Sequence, residues 1–204
     1  MKRSASRIAL ALAFATVVSL RAQAGTTTYK IDPRHSSAQF AVTHLMISTV
    51  HGEFHAVNGT VIFDDSDVSK SSVNVTIDAT TVDTREPDRD KHLRSADFFD
   101  VANHPTMSFV STKVEPADSG KLKVSGDLTI RGVTKPVVLE VSVPKAPIKD
   151  PWGMQRTAVS GSTKINRQDF GVAWNKNLDS GGVVVGDDVD ITLDVEMVVP
   201  PPAK

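Results

Sequence analysis

Four histidines lie close together in the chain, and histidine is both the commonest metal-binding side chain and a frequent general acid or base. They are His35, His44, His51 and His55. On a helix, the spacing of His51 and His55 would suit a shared zinc ion. The residues around Gly52 predict two strands instead, and four strand residues span about 13 Å, too far for two imidazoles to bind one ion. We expect no metal here; a site completed by neighbouring strands is the alternative.

Acidic residues surround a second segment, where two carboxylates facing one bond would be the machinery of a glycosidase. Asp83, Asp90, Asp97 and Asp100 flank or occupy residues 87–93. The proline and acids of that segment suit the first turn of a short helix. Charges around a short helix are more often caps and surface ion pairs than catalytic acids. The pattern therefore predicts a helix and no catalytic group.

The remainder of the chain alternates apolar and polar residues with period two, which is typical of strands with one face on a core and one in water. This pattern predicts an all-β domain of about eight to nine strands and one or two short helices. The alternating apolar runs are Ala38, Phe40, Val42; Val73, Val75, Ile77, Ala79; Leu122, Val124, Leu128, Ile130; Val137, Leu139, Val141, Val143; and Val189, Ile191, Leu193, Val195, Met197, Val199.

Residues 1–24 have the three parts of a secretory signal peptide. Basic residues precede thirteen apolar and small residues at 8–20, and residues 22–24 offer a small-x-small cleavage site. Thirteen helical residues rise about 20 Å, short of the roughly 30 Å hydrocarbon core, so we expect no stable membrane insertion. We predict cleavage before Gly25 and a periplasmic or secreted product.

Composition excludes several further classes of function. The 204 residues contain no cysteine, which excludes disulfides, thiolate metal sites and cysteine nucleophiles. The predicted signal peptide holds four of the 23 basic residues and no acid, so the mature protein has 19 basic and 24 acidic residues, a net charge of −5. A net acidic protein argues against nucleic acid as a partner.

A series of short motifs follows the mature chain. In order, they are Tyr29-Lys30-Ile31-Asp32, His35-Ser36, His44-Leu45 with Ser48, Gly52 and Phe54, Ile77-Asp78-Ala79, Asp83-Thr84, Arg89-Asp90-Lys91-His92-Leu93, Asp97-Phe98-Phe99-Asp100, Pro105 with Phe109, Gly126-Asp127-Leu128-Thr129-Ile130, Gly132-Val133-Thr134-Lys135, Trp152-Gly153 and Asn166-Arg167-Gln168-Asp169-Phe170-Gly171. Together they resemble the YceI-like family of periplasmic polyisoprenoid-binding proteins. The resemblance spans roughly residues 29–199, nearly all of the mature protein.

The resemblance implies an extended eight-stranded antiparallel β-barrel of lipocalin-like shape over residues 25–204. Its interior would be hollow and would enclose a long-chain isoprenoid, a quinone tail or a fatty-acid-like chain, with no cofactor. Burial is worth about 0.8 kcal/mol per methylene, so a long chain needs no positioned polar group to bind tightly. Members of the family are often dimeric, so the resemblance allows a homodimer without fixing the oligomeric state.

Candidate ligand contacts follow from the resemblance combined with strand parity. Arg89, His92 and Arg167 are the candidates for a polar head group, although the same residues would also suit structural hydrogen bonds. A bulge near residues 56–59 would reverse the parity of every later position. The candidates for the apolar lining are Phe40, Val42, Phe54, Val75, Ile77, Phe98, Phe99, Phe109, Leu128, Ile130, Leu139, Val141, Phe170 and Trp174.

Two alternatives to a carrier remain open. The first is an enzyme that modifies such a lipid, in which Asp90, His92 and Asp97 would form an acid–base group. The second is an accessory factor of a membrane cytochrome or quinone pathway. We expect a non-enzymatic binding protein.

Overall fold

The computed structural model describes residues 25–200, so the predicted signal peptide at residues 1–24 lies outside the described part of the chain. Within residues 25–200, one α-helix, α1 (Pro87–Arg94), accompanies twelve strands. The strands are β1 (Thr26–Ile31), β2 (Ser37–His44), β3 (Ser48–Phe54), β4 (Val57–Asp64), β5 (Ser72–Asp78), β6 (Val82–Asp83), β7 (Thr106–Ala117), β8 (Lys121–Ile130), β9 (Val133–Ser142), β10 (Ile148–Lys149), β11 (Gln155–Asn166) and β12 (Val185–Val198).

Eight of these strands close into an antiparallel barrel, which confirms the predicted fold class. Neighbours around the barrel follow the order β11, β9, β8, β7, β5, β4, β1 and β12. The circle is completed by β11 and β12, which pair continuously from Arg156↔Val198 to Asn166↔Asp188. This ladder is the seam of the barrel, because it joins the two ends of the strand order.

The remaining long strands extend the wall at one end of the barrel. Strand β12 pairs with β1 only near Val198, and the earlier part of β12 pairs with β2. Strand β3 then pairs with β2, and the short β6 pairs with β3. We call the end that carries the β2–β3 turn and the start of β12 the upper end of the barrel, and the opposite end the lower end.

Helix α1 begins and ends where its sequence dictates. Pro87 supplies a fixed φ at the first turn, and the Glu86 carboxylate accepts hydrogen bonds from the backbone N–H groups of Asp88 and Arg89. The helix stops at Arg94, where the Ser95 N–H donates to the His92 carbonyl. The predicted helix at residues 87–93 is confirmed and extends one residue further.

One local prediction was wrong. The residues around Gly52 form a single strand, β3, instead of two strands. Gly52 does not mark a turn. Its missing side chain makes room for the Phe40 ring of β2, which occupies the space that a Cβ would need. The turn comes later, at Ala56, which has a φ of 54° between β3 and β4. Since His51 and His55 lie along extended chain, the argument against a shared metal ion is unaffected.

A second glycine permits equally close packing in the barrel wall. Gly126 on β8 lies beneath the ring of Phe109 on β7, and a Cβ there would approach the ring at 2.5 Å. The same Cβ would lie 2.5 Å from the carbonyl oxygen of Val110, which belongs to the backbone ladder and cannot swing away. The sheet is therefore close-packed at this point only because residue 126 has no side chain.

None of the helices within residues 25–200 has the length and apolar character that a membrane crossing requires.

We predict that Gly126→Ala lowers the free energy of unfolding by about 1–3 kcal/mol, because the added methyl forces the Phe109 ring and the β7 backbone apart. Urea denaturation followed by circular dichroism would measure the change. Ser125→Ala, one residue away on β8, is the control and should change stability by less than about 0.5 kcal/mol. Equal stability of Gly126→Ala and the parent protein would contradict the packing argument.

Candidate ligand-binding site

The barrel interior contains an apolar cavity of about 410 Å³. Strand β12 shows most clearly that this space is hollow. Val189, Ile191, Leu193 and Val195 all point inward and line the cavity, yet each keeps part of its surface accessible. In a filled core, alternating inward residues of a long central strand would be fully buried. The cavity volume falls within the range of about 300–1,000 Å³ that is usual for small-molecule sites.

The structure places every predicted lining residue at the cavity wall. Their contact with a ligand stays a prediction. The residues are Phe40 and Val42 on β2, Phe54 on β3, Val75 and Ile77 on β5, Phe98 and Phe99 after α1, Phe109 on β7, Leu128 and Ile130 on β8, Leu139 and Val141 on β9, and Phe170 and Trp174 after β11.

Sequence reasoning left out the cavity residues of β12. Four inward residues of β12, Val189, Ile191, Leu193 and Val195, line the cavity but were not among the candidates, and the buried Met197 of the same strand lines it too. Their period-two alternation was visible in the sequence. The alternation alone did not show that β12 closes the barrel. Because β12 closes the barrel, one of its faces lies on the cavity along most of the strand.

Aromatic rings line the cavity towards its upper end. The His92 ring on α1 lies edge-on to both Phe98 and Trp174, with centroid distances of 5.0 and 4.9 Å. A second set of rings continues from there, since Phe54 contacts Phe99 at 5.3 Å. These spacings are those of favourable aromatic pairs, so the upper end is a preformed aromatic collar.

Two polar side chains join this collar and remain accessible. Arg89 is exposed, and its Nε and Nη2 groups donate to the hydroxyl and carbonyl oxygens of Thr84 at 2.7 and 3.0 Å. The Nε2 atom of His92 lies 2.9 Å from a carboxylate oxygen of Asp97. Both residues line the cavity, so they can offer hydrogen bonds or charge to a polar group held at its upper end.

Arg167 has a different role, because its guanidinium is buried and its five N–H donors are engaged within the protein. Burial lowers the pKa of Arg167 from its ordinary value, and the nearby Asp187 carboxylate opposes this shift. The residue therefore fastens the segment after β11 to the start of β12, while it also lines the cavity. Contact of Arg89, His92 or Arg167 with a head group stays a prediction. The acceptors are the carbonyl oxygens of Val172, Trp174, Val185 and Gly186 and the carboxylate of Asp187.

The residues suggested as an acid–base group are not joined into one. Asp90 is buried, and its carboxylate accepts hydrogen bonds from the backbone N–H and the hydroxyl of Thr84 at 2.8 and 2.6 Å. His92 pairs with Asp97 on the other side of the helix end. Asp90 therefore holds α1 against the residue that follows β6, and His92 and Asp97 form a separate, partly exposed pair.

A closed antiparallel barrel with a hollow apolar interior is the architecture of carriers of small apolar molecules. A family model described as the YceI-like domain matches residues 29–197 of the chain. Protein YceI of Escherichia coli O157:H7 is 40% identical over 189 residues, which cover 92% of this chain and 95% of that protein. The chain belongs to the YceI-like family.

Solved structures share the same barrel. The crystal structure of Burkholderia cenocepacia BcnA matches with a TM-score of 0.71 and 24% identity, covering 81% of this chain and 98% of that one. A polyisoprenoid binding domain from Saccharophagus degradans matches with a TM-score of 0.61 and 17% identity, covering 84% of this chain and 98% of that one. At these identities the likeness establishes the fold.

A cluster that resembles a metal site lies at the lower end of the barrel. Within residues 25–200, Asp32, His35 and Glu196 bring ligand atoms within 4.8 Å of one another. The Arg156 guanidinium already supplies the positive charge, at 2.8 Å from Asp32 and 2.6 Å from Glu196. Arg156 also pairs with Asp150 at 2.7 Å. The cluster is therefore best described as an ion-pair network around one arginine.

This network perturbs the acidity of its members. Hydrogen bonds from Arg156 and His35 hold the pKa of Asp32 well below its usual range, against an opposing effect of burial. The carboxylates of Asp150, Asp32 and Glu196 in turn raise the pKa of Arg156. A lowered carboxyl pKa stabilises the fold at pH values above the pKa of the unfolded chain, and this stabilisation is lost as the pH falls towards the folded value.

We predict that Asp32→Asn lowers the free energy of unfolding by about 2 kcal/mol at neutral pH, because Arg156 loses a charged partner. The difference from the parent protein should shrink as the pH falls below about 4, the ordinary pKa of an aspartate, because the unfolded chain then takes up a proton that folded Asp32 resists. Urea unfolding at a series of pH values would measure it.

Asp190→Asn is the control, because Asp190 forms an exposed surface pair with Lys164. It should change stability by less than about 1 kcal/mol at any pH. A pH-independent difference between Asp32→Asn and the parent would contradict the role given to the Asp32 charge.

Proposed function

We propose that the protein binds a long apolar chain inside its barrel and keeps that chain out of water. The observation that carries this proposal is the accessible surface of the inward residues of β12, which belongs to a hollow interior. Binding to an apolar wall of this kind is favoured by about 0.8 kcal/mol of free energy for each ligand methylene that leaves water. The fourteen lining candidates and the four inward residues of β12 are the proposed contacts.

The ligand class follows from the shape and the chemistry of the cavity. A long-chain isoprenoid is our first choice, and the name of the Saccharophagus degradans polyisoprenoid binding domain, which shares this fold, supports it. Contacts made through apolar area alone discriminate weakly between chains, so a quinone tail or a fatty-acid-like chain would compete on length and branching. We place the head group at the upper end, where Arg89 and His92 are accessible.

A binding protein explains the polar residues in and beside the cavity wall better than an enzyme does. Arg167 has its N–H donors engaged within the protein, and Asp90 is bound to Thr84, so both have structural duties. We propose that the protein acts in the periplasm or outside the cell, after cleavage of residues 1–24 before Gly25. Carriage, storage and protection against stress are all uses of such binding.

Filling the cavity gives a direct test. We predict that Leu193→Trp lowers the affinity for a fluorescent prenyl alcohol at least about tenfold, because the indole occupies space that the chain needs. Titration of the purified, delipidated protein would measure the dissociation constant.

The control is Val138→Trp, which places the same indole on the outer face of β9 at a residue that is 50% exposed. It should bind the prenyl alcohol as the parent protein does. Equal affinity of Leu193→Trp and Val138→Trp would mean that the chain does not bind inside the barrel.

A further inference from the structure

The turn between β2 and β3 exposes three consecutive apolar side chains. Leu45, Met46 and Ile47 are 36%, 55% and 84% exposed. Single exposed apolar residues are common, but an adjacent group of three at the tip of a hairpin is an apolar projection into the surroundings. We call these three residues the apolar tip.

The backbone of the apolar tip is unusual for its sequence. Leu45 and Met46 have φ angles of 52° and 61°, and the Ile47 N–H donates to the His44 carbonyl at 3.1 Å to close the turn. Two successive residues with positive φ favour Asn-Gly or a similar pair, because a bulky side chain is disfavoured in this conformation. The chain instead carries two large apolar residues, which points to a use for the side chains themselves.

The neighbouring loop holds the apolar tip in place. The Leu45 N–H donates to the Val184 carbonyl at 2.8 Å. Gly182 leaves room for Met46, since a Cβ at residue 182 would lie 3.1 Å from the Met46 Cγ. The three side chains are therefore presented from a backbone that is bonded on both sides of the turn.

The apolar tip also stands beside the upper end of the cavity. Thr43 and His44, which immediately precede it, line the cavity, and so does Val184, which is bonded to Leu45. The proposed head-group residues Arg89 and His92 line the same end. A surface that receives the apolar tip would therefore face the place where a chain enters or leaves.

We propose that the apolar tip docks the protein onto a lipid bilayer, with Leu45, Met46 and Ile47 inserted among the head groups and the upper end of the cavity facing the membrane. Docking in this orientation would let an apolar chain pass between the bilayer and the cavity, and that part of the proposal rests on the proposed function. The docking itself rests on the apolar tip alone. A convex tip of three residues fits the head-group boundary, where apolar side chains reach about 5–10 Å deep. It is too small to supply the roughly 800 Å² per partner of a stable protein interface.

Sedimentation with phosphatidylcholine vesicles tests the docking. The parent protein should bind the vesicles, and Ile47→Ser should bind about tenfold more weakly, because the most exposed apolar side chain of the tip is lost. Ile148→Ser is the matched control: Ile148 is also exposed, at 67%, but lies on β10 at the lower end. It should bind as the parent does, and binding should change little when salt rises from about 0.1 to about 1 M.

The double variant Leu45→Asn with Met46→Gly separates docking from folding. It installs the pair that this turn geometry favours, so the melting temperature should rise while vesicle binding falls. Equal vesicle binding by the parent, Ile47→Ser and the double variant would overturn the proposal. So would a concentration-dependent dimer that Ile47→Ser abolishes with no vesicle binding by the parent, because the occupant would then be a second copy of the chain.

Uptake of a fluorescent prenyl alcohol from cyclodextrin, with no vesicles present, keeps the two proposals apart. Full uptake together with absent vesicle binding would overturn docking and leave the binding function intact. Vesicle binding that depends on Ile47, without any uptake, would support docking and overturn the binding function.

Discussion

The pairing of β11 with β12 is the interaction on which the rest of the structure depends, because it turns an open sheet into a closed barrel. One arginine fastens each end of this seam. At the lower end, Arg156 of β11 binds Glu196 of β12 and Asp32, which follows β1. At the upper end, Arg167 follows β11 and donates to the carbonyl groups of Val185 and Gly186 on β12. The two arginines thus lie where the first and last strands of the barrel must be held together.

Closure also decides what the interior can contain. An eight-stranded barrel is just wide enough to be filled by side chains or to hold one small ligand. Here the side chains leave space, and the inward residues of β12 keep accessible surface. The wall around this space is nevertheless close-packed where the Phe109 ring lies against Gly126 and the Phe40 ring against Gly52. The aromatic collar around His92 then gives the upper end a chemistry different from that of the apolar interior.

The sequence predicts those parts of the structure that depend on local periodicity. Alternation identified inward residues such as Val75, Ile77 and Leu139, because side-chain direction in a strand reverses at every residue. Proline and acidic residues located α1 for the same local reason. The error at Gly52 has a non-local cause, since the Phe40 ring that accommodates this glycine comes from another strand.

Long-range contacts account for what the sequence could not show. The ion pair between Asp32 and Arg156 joins residues 124 positions apart, so no local sequence pattern predicts it. The carbonyl groups that accept hydrogen bonds from Arg167 come from residues 172–186, so their convergence on this side chain is equally invisible in the sequence. That the interior is hollow came from the family resemblance, because alternation looks the same in a filled barrel and in an empty one.

The central claim is that the barrel interior is a binding site for an apolar chain. Native mass spectrometry of the protein, purified from its own source and then incubated with a long-chain prenyl alcohol, tests it most directly. We expect a complex of one chain per protein that releases the intact chain on collisional activation. Only the mass of the bare protein, at every concentration of added alcohol and before any addition, would contradict the account.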